Sequence, residues 1–168
     1  VFDYLSFRRD MEGLAAERAA RLGSDSDLKV IQAIFDKMEA AQNHRNPEEE
    51  ARLDAQFHTA IIEASHNVVM LHMMRSMFEL LREGVFYNRQ VMFKQRTTRT
   101  ALLDQHRAIN DALQSRDPAQ ARAAIEAHLA KCEAAGLPSR FVIDDREQWR
   151  FVRVPLLGDA VSYTMDGK

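Results

Sequence analysis

"RLDAQFHTAI", residues 52–61, sets Asp54 and His58 four positions apart in a segment whose apolar spacing is that of an amphipathic helix. Four residues make about one helical turn, so both side chains project from the same face. Phe57 and Ile61 lie on or beside that face. A carboxylate and an imidazole are costly to bury unless something pairs with them. What compensates them governs the reading of the rest of the chain.

Working outward, apolar spacing and punctuation divide most of the sequence into six helical segments. The first runs from about Phe2 to Leu22 and stops at Gly23. Ser24 or Asp25 can cap a second, to about His44. Asn46-Pro47 starts the third, with Glu48, Glu49 and Glu50 placed favourably against the helix dipole, and it ends near His66-Asn67. A fourth, rich in Met and Leu, spans about Val68 to Phe93 with a bend expected at Gly84. The fifth covers about Thr98 to Ser115. Asp117 and Pro118 then open a sixth that reaches about Ala135. The pattern predicts an all-α antiparallel bundle of about six helices enclosing a cavity, over residues 1–136. Residues 137–168 read as an irregular tail, either extended or a short hairpin. "QWRFVRV" and "AVSYTM" are its candidate strands, around Gly158-Asp159.

Composition narrows the function classes. The chain has 168 residues, 46% hydrophobic and 29% charged, which is enough for one domain with a single core. A net charge of −2 is no electrostatic footprint for nucleic acid. The single cysteine, Cys132, rules out an internal disulfide and fits a reducing cytoplasm. No apolar run approaches the roughly 20 residues of a membrane span. With Val1 at its start, the chain reads as a domain cut from something longer.

Two more histidines repeat the anomaly of His58. His106 sits on the stripe formed by Leu102, Ile109 and Leu113. His128 sits on that of Ala121, Ala124, Ile125 and Cys132. Both lie a similar distance from the break at Arg116-Asp117, so an antiparallel hairpin brings them to the same height. A lone histidine on an apolar face is more often a core residue bonded to a carbonyl or carboxylate. One Asp and three neutral His are also a ligand set suited to Zn²⁺, Ni²⁺ or Mn²⁺. Spacing alone leaves both readings open. His44, His66 and His72 fall at helix ends or starts and read as surface or capping residues.

The first helix holds one more polar intruder. Met11, Leu14, Ala15 and Leu22 mark its apolar face, and Arg8 lies close to Met11 and Ala15 on the helical wheel, whereas Arg9 points away. An inward arginine needs an anion, and either Glu12 one turn on or a ligand carboxylate meets that need.

At this point the residues carry a resemblance. "FRRDMEGLAAERAARL", "DAQFHTAIIEASHNVVMLHMM" and "DQHRAINDALQSRDPAQARAAIEAHL" resemble, in that order, the FCD (FadR C-terminal) domain of GntR-family transcription regulators, over about residues 2–135. In the metal-binding branch of that family one Asp and three His hold a divalent metal. The resemblance places those ligands at Asp54, His58, His106 and His128, and an effector-pocket arginine at Arg8. It implies a cytoplasmic sensor of small carboxylates that forms a homodimer, for which the methionines of the fourth helix supply apolar surface. Operator DNA would be reached only through an N-terminal winged helix-turn-helix not present in this chain. A metal-dependent hydrolase or oxygenase on the same ligands is the alternative, disfavoured because no Ser or Cys nucleophile stands beside a base. A structural dimerisation module with metal as a staple ranks third.

Overall fold

The computed structural model describes residues 2–44, 46–80, 96–135, 139–143 and 149–153. Its helices are α1 (Phe2–Leu22), α2 (Asp25–Gln42), α3 (Pro47–Ala64), α4 (Val68–Leu80), α5 (Arg96–Gln114) and α6 (Pro118–Ala135). Their starts are set by side chains that satisfy orphan backbone N–H groups. The Asp27 N–H donates to Ser24 Oγ at 3.1 Å and the Ser24 N–H donates back to Asp27 Oδ2 at 2.8 Å, a reciprocal capping box. Asn46 Oδ1 accepts from the N–H groups of Glu48 and Glu49 ahead of Pro47. Asp117 Oδ1 accepts from the Gln120 N–H at the head of α6.

Helix ends are equally specific. Arg116 adopts a left-handed conformation, φ 53°. Its N–H reaches Leu113 O and the next N–H, of Asp117, reaches Ala112 O, which closes α5 in a Schellman motif. The left-handed conformation is unfavourable for arginine, and a tertiary contact offsets the cost. The Arg116 guanidinium donates to Gly23 O at 2.9 Å and to Asp25 Oδ1 at 2.7 Å. His66 does the same after α3, with φ 51° and its Nε2 2.8 Å from Asp27 Oδ2. Three chain reversals therefore meet at the α1–α2 corner.

Between these ends α1 packs antiparallel on α6, α2 on α3, and α5 on both α2 and α6. The core runs from Ile31 and Phe35 of α2, through Leu53, Phe57 and Ile61 of α3, to Ile109, Leu113 and Ile125 of α5 and α6. Helix α1 contributes Ala15, Ala16, Ala19 and Ala20, small residues that let its neighbours approach closely. The sequence pattern had marked Leu14 and Leu22 as part of its apolar face, but they are 38% and 48% exposed. The buried face instead runs through Leu5, Arg8, Glu12 and the alanines, and its two charges disguise it.

The bundle is all-α as its pattern requires, with helix ends within a few residues of those expected. The expected extension of α4 to Phe93 and its bend at Gly84 lie outside the described residues. In the tail the difference is larger. Ser139–Ile143 (β1) pairs antiparallel with Trp149–Arg153 (β2), Phe141 standing opposite Phe151. Within "QWRFVRV", Trp149–Arg153 is thus a strand, but its partner precedes it. The expected partner, "AVSYTM", lies outside the described residues. Phe141, Val142 and Ile143 form a strand-favouring run just before the polar Asp144–Gln148 segment, and the reading from Gly158-Asp159 had passed over it. No helix among the described residues is long and apolar enough to cross a membrane.

Phe57 is fully buried between the Phe35 ring, 6.4 Å away, and the edge of His106, 5.3 Å away. Phe57→Ala is expected to cost about 3–5 kcal/mol of stability, read as a lowered urea midpoint at unchanged slope.

Candidate metal centre

Helix α3 carries Asp54 and His58, α5 carries His106, and α6 carries His128, all four buried. The α5–α6 hairpin brings its two histidines to one height, with ring centroids 4.5 Å apart. His58 stacks on His128 at 5.2 Å and meets His106 edge-on at 5.5 Å. One potential ligand atom from each of the four residues lies within 4.8 Å of all the others. The structure therefore brings together the four residues singled out in the sequence.

The orientation of the rings follows from their other nitrogens. His58 Nδ1 donates to Glu12 Oε2 at 2.6 Å, and His106 Nδ1 donates to Leu102 O at 2.7 Å. His128 Nδ1 lies 2.9 Å from Gln105 Oε1. A carbonyl or carboxylate only accepts, so these bonds place the proton on Nδ1 and leave the Nε2 lone pair available. The Nε2 atoms of His58 and His106 turn toward Asp54, whose Oδ1 stands 3.0 Å from His106 Nε2 and 3.8 Å from His58 Nε2. The buried Nε2 atoms of His58 and His106 have no hydrogen-bond partner among the described residues. Unmatched buried acceptors beside a carboxylate fit a divalent cation, which accepts lone pairs and supplies positive charge. The donor set of three imidazoles and one carboxylate suits Zn²⁺ and other first-row cations.

Glu12 links this cluster to α1. Arg8 grips the carboxylate with Nε at 2.5 Å from Oε1 and Nη2 at 3.1 Å from Oε2. Arg8 does face the interior, and in this structure its anion is Glu12. Burial works against the Glu12 charge, but Arg8 and then His58 outweigh it and hold the carboxyl at about 2, below the ordinary 4.5. Burial pushes His58 below the usual imidazole value despite the pull of Glu12. It pushes His128 further down, helped by the charges that His106 and His58 would carry. Neutral imidazoles are the form that binds metal.

Sequence reading missed the roles of five neighbours of the centre. Glu12 was legible only as a partner for Arg8, and its bond to His58 joins residues 46 positions apart. Gln105 bonds a ring that its own helix does not carry. Cys132 Sγ lies 3.7 Å from His128 Nε2, one turn along the same face. Arg99 and Glu50 form a buried ion pair, and Arg99 also donates to Gln42 O at 2.8 Å. That pair lines a cavity of about 20 Å³ together with Met38, Gln42, Leu103 and His106. His44, His66 and His72 are exposed and stand apart from the cluster, as their positions had implied.

Comparison with known proteins identifies the family. The FCD domain profile matches residues 3–131. The chain belongs to the FCD domain family, the effector-sensing domains of GntR-type transcription regulators. It is 34% identical over 154 residues to a protein assigned to regulation of the L-lactate dehydrogenase operon in Escherichia coli, covering 92% of this chain and 57% of that one. It is 34% identical over 133 residues to the Glc operon transcriptional activator of the same organism, covering 77% of this chain and 52% of the relative. The transcriptional regulator LutR of Bacillus subtilis is 32% identical over 134 residues, covering 79% and 60%. The FCD chain thus spans little more than half the length of these relatives. All three carry the names of regulators. In fold, the FCD domain is similar to the GntR protein of Streptococcus agalactiae, with TM-score 0.63, 21% identity and 80% of this chain and 58% of that one covered. McbR/YncC of Escherichia coli gives TM-score 0.68 at 18% identity, covering 79% of this chain and 62% of that one.

Acid should destabilise the metal-free domain. His58 and His128 have folded-state values below the ordinary 6.5, so the unfolded chain takes up protons first as pH falls through that value. Glu12 contributes fully above 4.5 and loses its contribution as pH falls toward about 2. Urea midpoints of chelator-treated protein should therefore decline from the histidine range downward. A flat profile across that range would contradict the assignment of neutral, buried imidazoles.

Proposed function

We propose that residues 1–136 are the effector-sensing and dimerisation domain of a transcription regulator, holding a divalent cation on Asp54, His58, His106 and His128. The observation that carries this reading is the common orientation of the three rings, each with Nδ1 at an oxygen, and the gathering of one potential ligand atom from each with Asp54. Zn²⁺ is the first candidate occupant, with Ni²⁺ or Mn²⁺ compatible with the same donors. A bound cation supplies a Lewis-acidic point to which a carboxylate oxygen is drawn.

The protein's part is to shape charge around that point. With Glu12 ionised beside Arg8 and the imidazoles neutral, a divalent cation on Asp54 leaves one positive charge uncompensated. A small carboxylate closes this gap. The Arg8 charge is felt at both His58 and His128, so the guanidinium favours an anion at the same centre. The effector we infer is a small hydroxy- or keto-acid engaging the cation and Arg8. L-Lactate belongs to this class, and one relative is named for an L-lactate dehydrogenase operon. The whole regulator would be a cytoplasmic homodimer that reaches operator DNA through a winged helix-turn-helix outside this chain. Val68, Val69 and Met73 of α4, each more than half exposed, offer apolar surface to a second copy.

Elemental analysis of protein as purified tests the cation. Near-stoichiometric zinc or nickel is expected in the wild type, and a loss of well over tenfold in affinity in His106→Ala. Equal metal content in both would overturn the ligand set. Calorimetry with a panel of small carboxylates tests the effector. Arg8→Ala should weaken binding while metal is retained, and Arg8→Lys should restore it only in part because the bidentate fork is lost. Unchanged affinity in Arg8→Ala would confine Arg8 to its pairing with Glu12.

A further inference from the structure

Helix α1 supplies none of the four candidate ligands, yet its Glu12 holds one of them. The carboxylate is 1% exposed. Oε1 accepts from Arg8, while Oε2 accepts from both Arg8 Nη2 and His58 Nδ1. Across the imidazole from this bond lies His58 Nε2, turned toward the cluster. The other two rings lean on neutral acceptors, a backbone carbonyl and an amide. His58 alone among them is oriented by a charged group, and that group comes from a different helix. A carboxylate behind a ligating imidazole fixes its tautomer, restrains its rotation and raises its basicity toward metal.

We propose that Glu12 is a positioning residue for the metal centre, fixing the His58 ring from behind and, through its grip on Arg8, making the seating of α1 depend on metal occupancy. The inference rests on the metal site proposed above. A cation on Nε2 draws electron density from the ring and strengthens the Nδ1–H bond to Glu12. The strengthened bond holds the Glu12 side chain, and with it the Arg8 turn of α1, against α3. Linkage is reciprocal, so anything that lifts α1 from α3 weakens the metal.

The test is zinc and cobalt affinity by chelator competition in wild type, Glu12→Gln and Glu12→Asp. Glu12→Gln keeps an acceptor of the same size but no charge, and a loss of about 10–100-fold is expected. Glu12→Asp should fall between the two. Because Glu12→Gln removes the carboxylate that Arg8 grips, a companion variant, Arg8→Met with Glu12→Gln, removes both charges and should show the same loss. Hydrogen exchange of α1 amides supplies a readout that a merely structural role would not move. Zinc should slow exchange in α1 of the wild type, and saturating zinc should leave α1 of the variants unchanged. Affinity within twofold of wild type, or equal zinc-induced protection of α1 in every variant, would overturn the proposal while leaving the metal site intact. A wild type that takes up neither metal would overturn both.

Discussion

Three imidazole rings, each tied at Nδ1 to an oxygen, meet a carboxylate in the middle of a helical bundle. Much of the remaining structure serves that meeting. The α5–α6 turn sets two of the rings level, the Ala-rich α1 comes close enough to reach the third, and Phe57 stands edge-on to two of them as an apolar wall. Buried groups of this kind tolerate little error, because an unpaired one costs the full loss of its hydration. The rigidity of the frame and the polarity of its centre are therefore two sides of one requirement.

How much of this was legible depended on whether the contact was local in sequence. Asp54 and His58 share a helical turn, and His106 and His128 are placed symmetrically about a short break, so arithmetic on helix geometry brings all four inward. The cap residues Ser24, Asn46 and Asp117 announced three helix starts for the same reason. Glu12 was different. Its bond to His58 depends on how α1 crosses α3, which no pattern within either helix encodes. The Arg99–Glu50 pair was hidden too, because a charge in the first turn of a helix looks solvated until another helix covers it. On α1 the pattern misled outright, since Leu14 and Leu22 are larger and more apolar than the alanines that are buried. Close approach, not side-chain size, decides that face. In the tail, a five-residue strand carried too little signal to reveal which neighbour it would pair with.

Membership in the FCD family fits an interior built for sensing rather than turnover. The centre has one charged and three neutral donors, and the groups that hold the three rings come from α1 and α5. On the proposed reading, an anion arriving at such a site would change how these helices are held. The cavity beside His106 and the Arg99–Glu50 pair marks where α2, α3 and α5 come together below the centre.

The corner where Arg116 reaches Gly23 and Asp25, and His66 reaches Asp27, has a mechanical meaning. It fastens the α1–α2, α3–α4 and α5–α6 turns at one end of the bundle, while Arg8, Glu12 and the histidine cluster lie toward the other. Rods pinned at one end pivot like the fingers of a hand, and their displacement grows with distance from the knuckle. A small rearrangement at the centre would thus be felt least at the pinned corner and most at the start of α1, so that the helix acts as a lever with its fulcrum at Gly23.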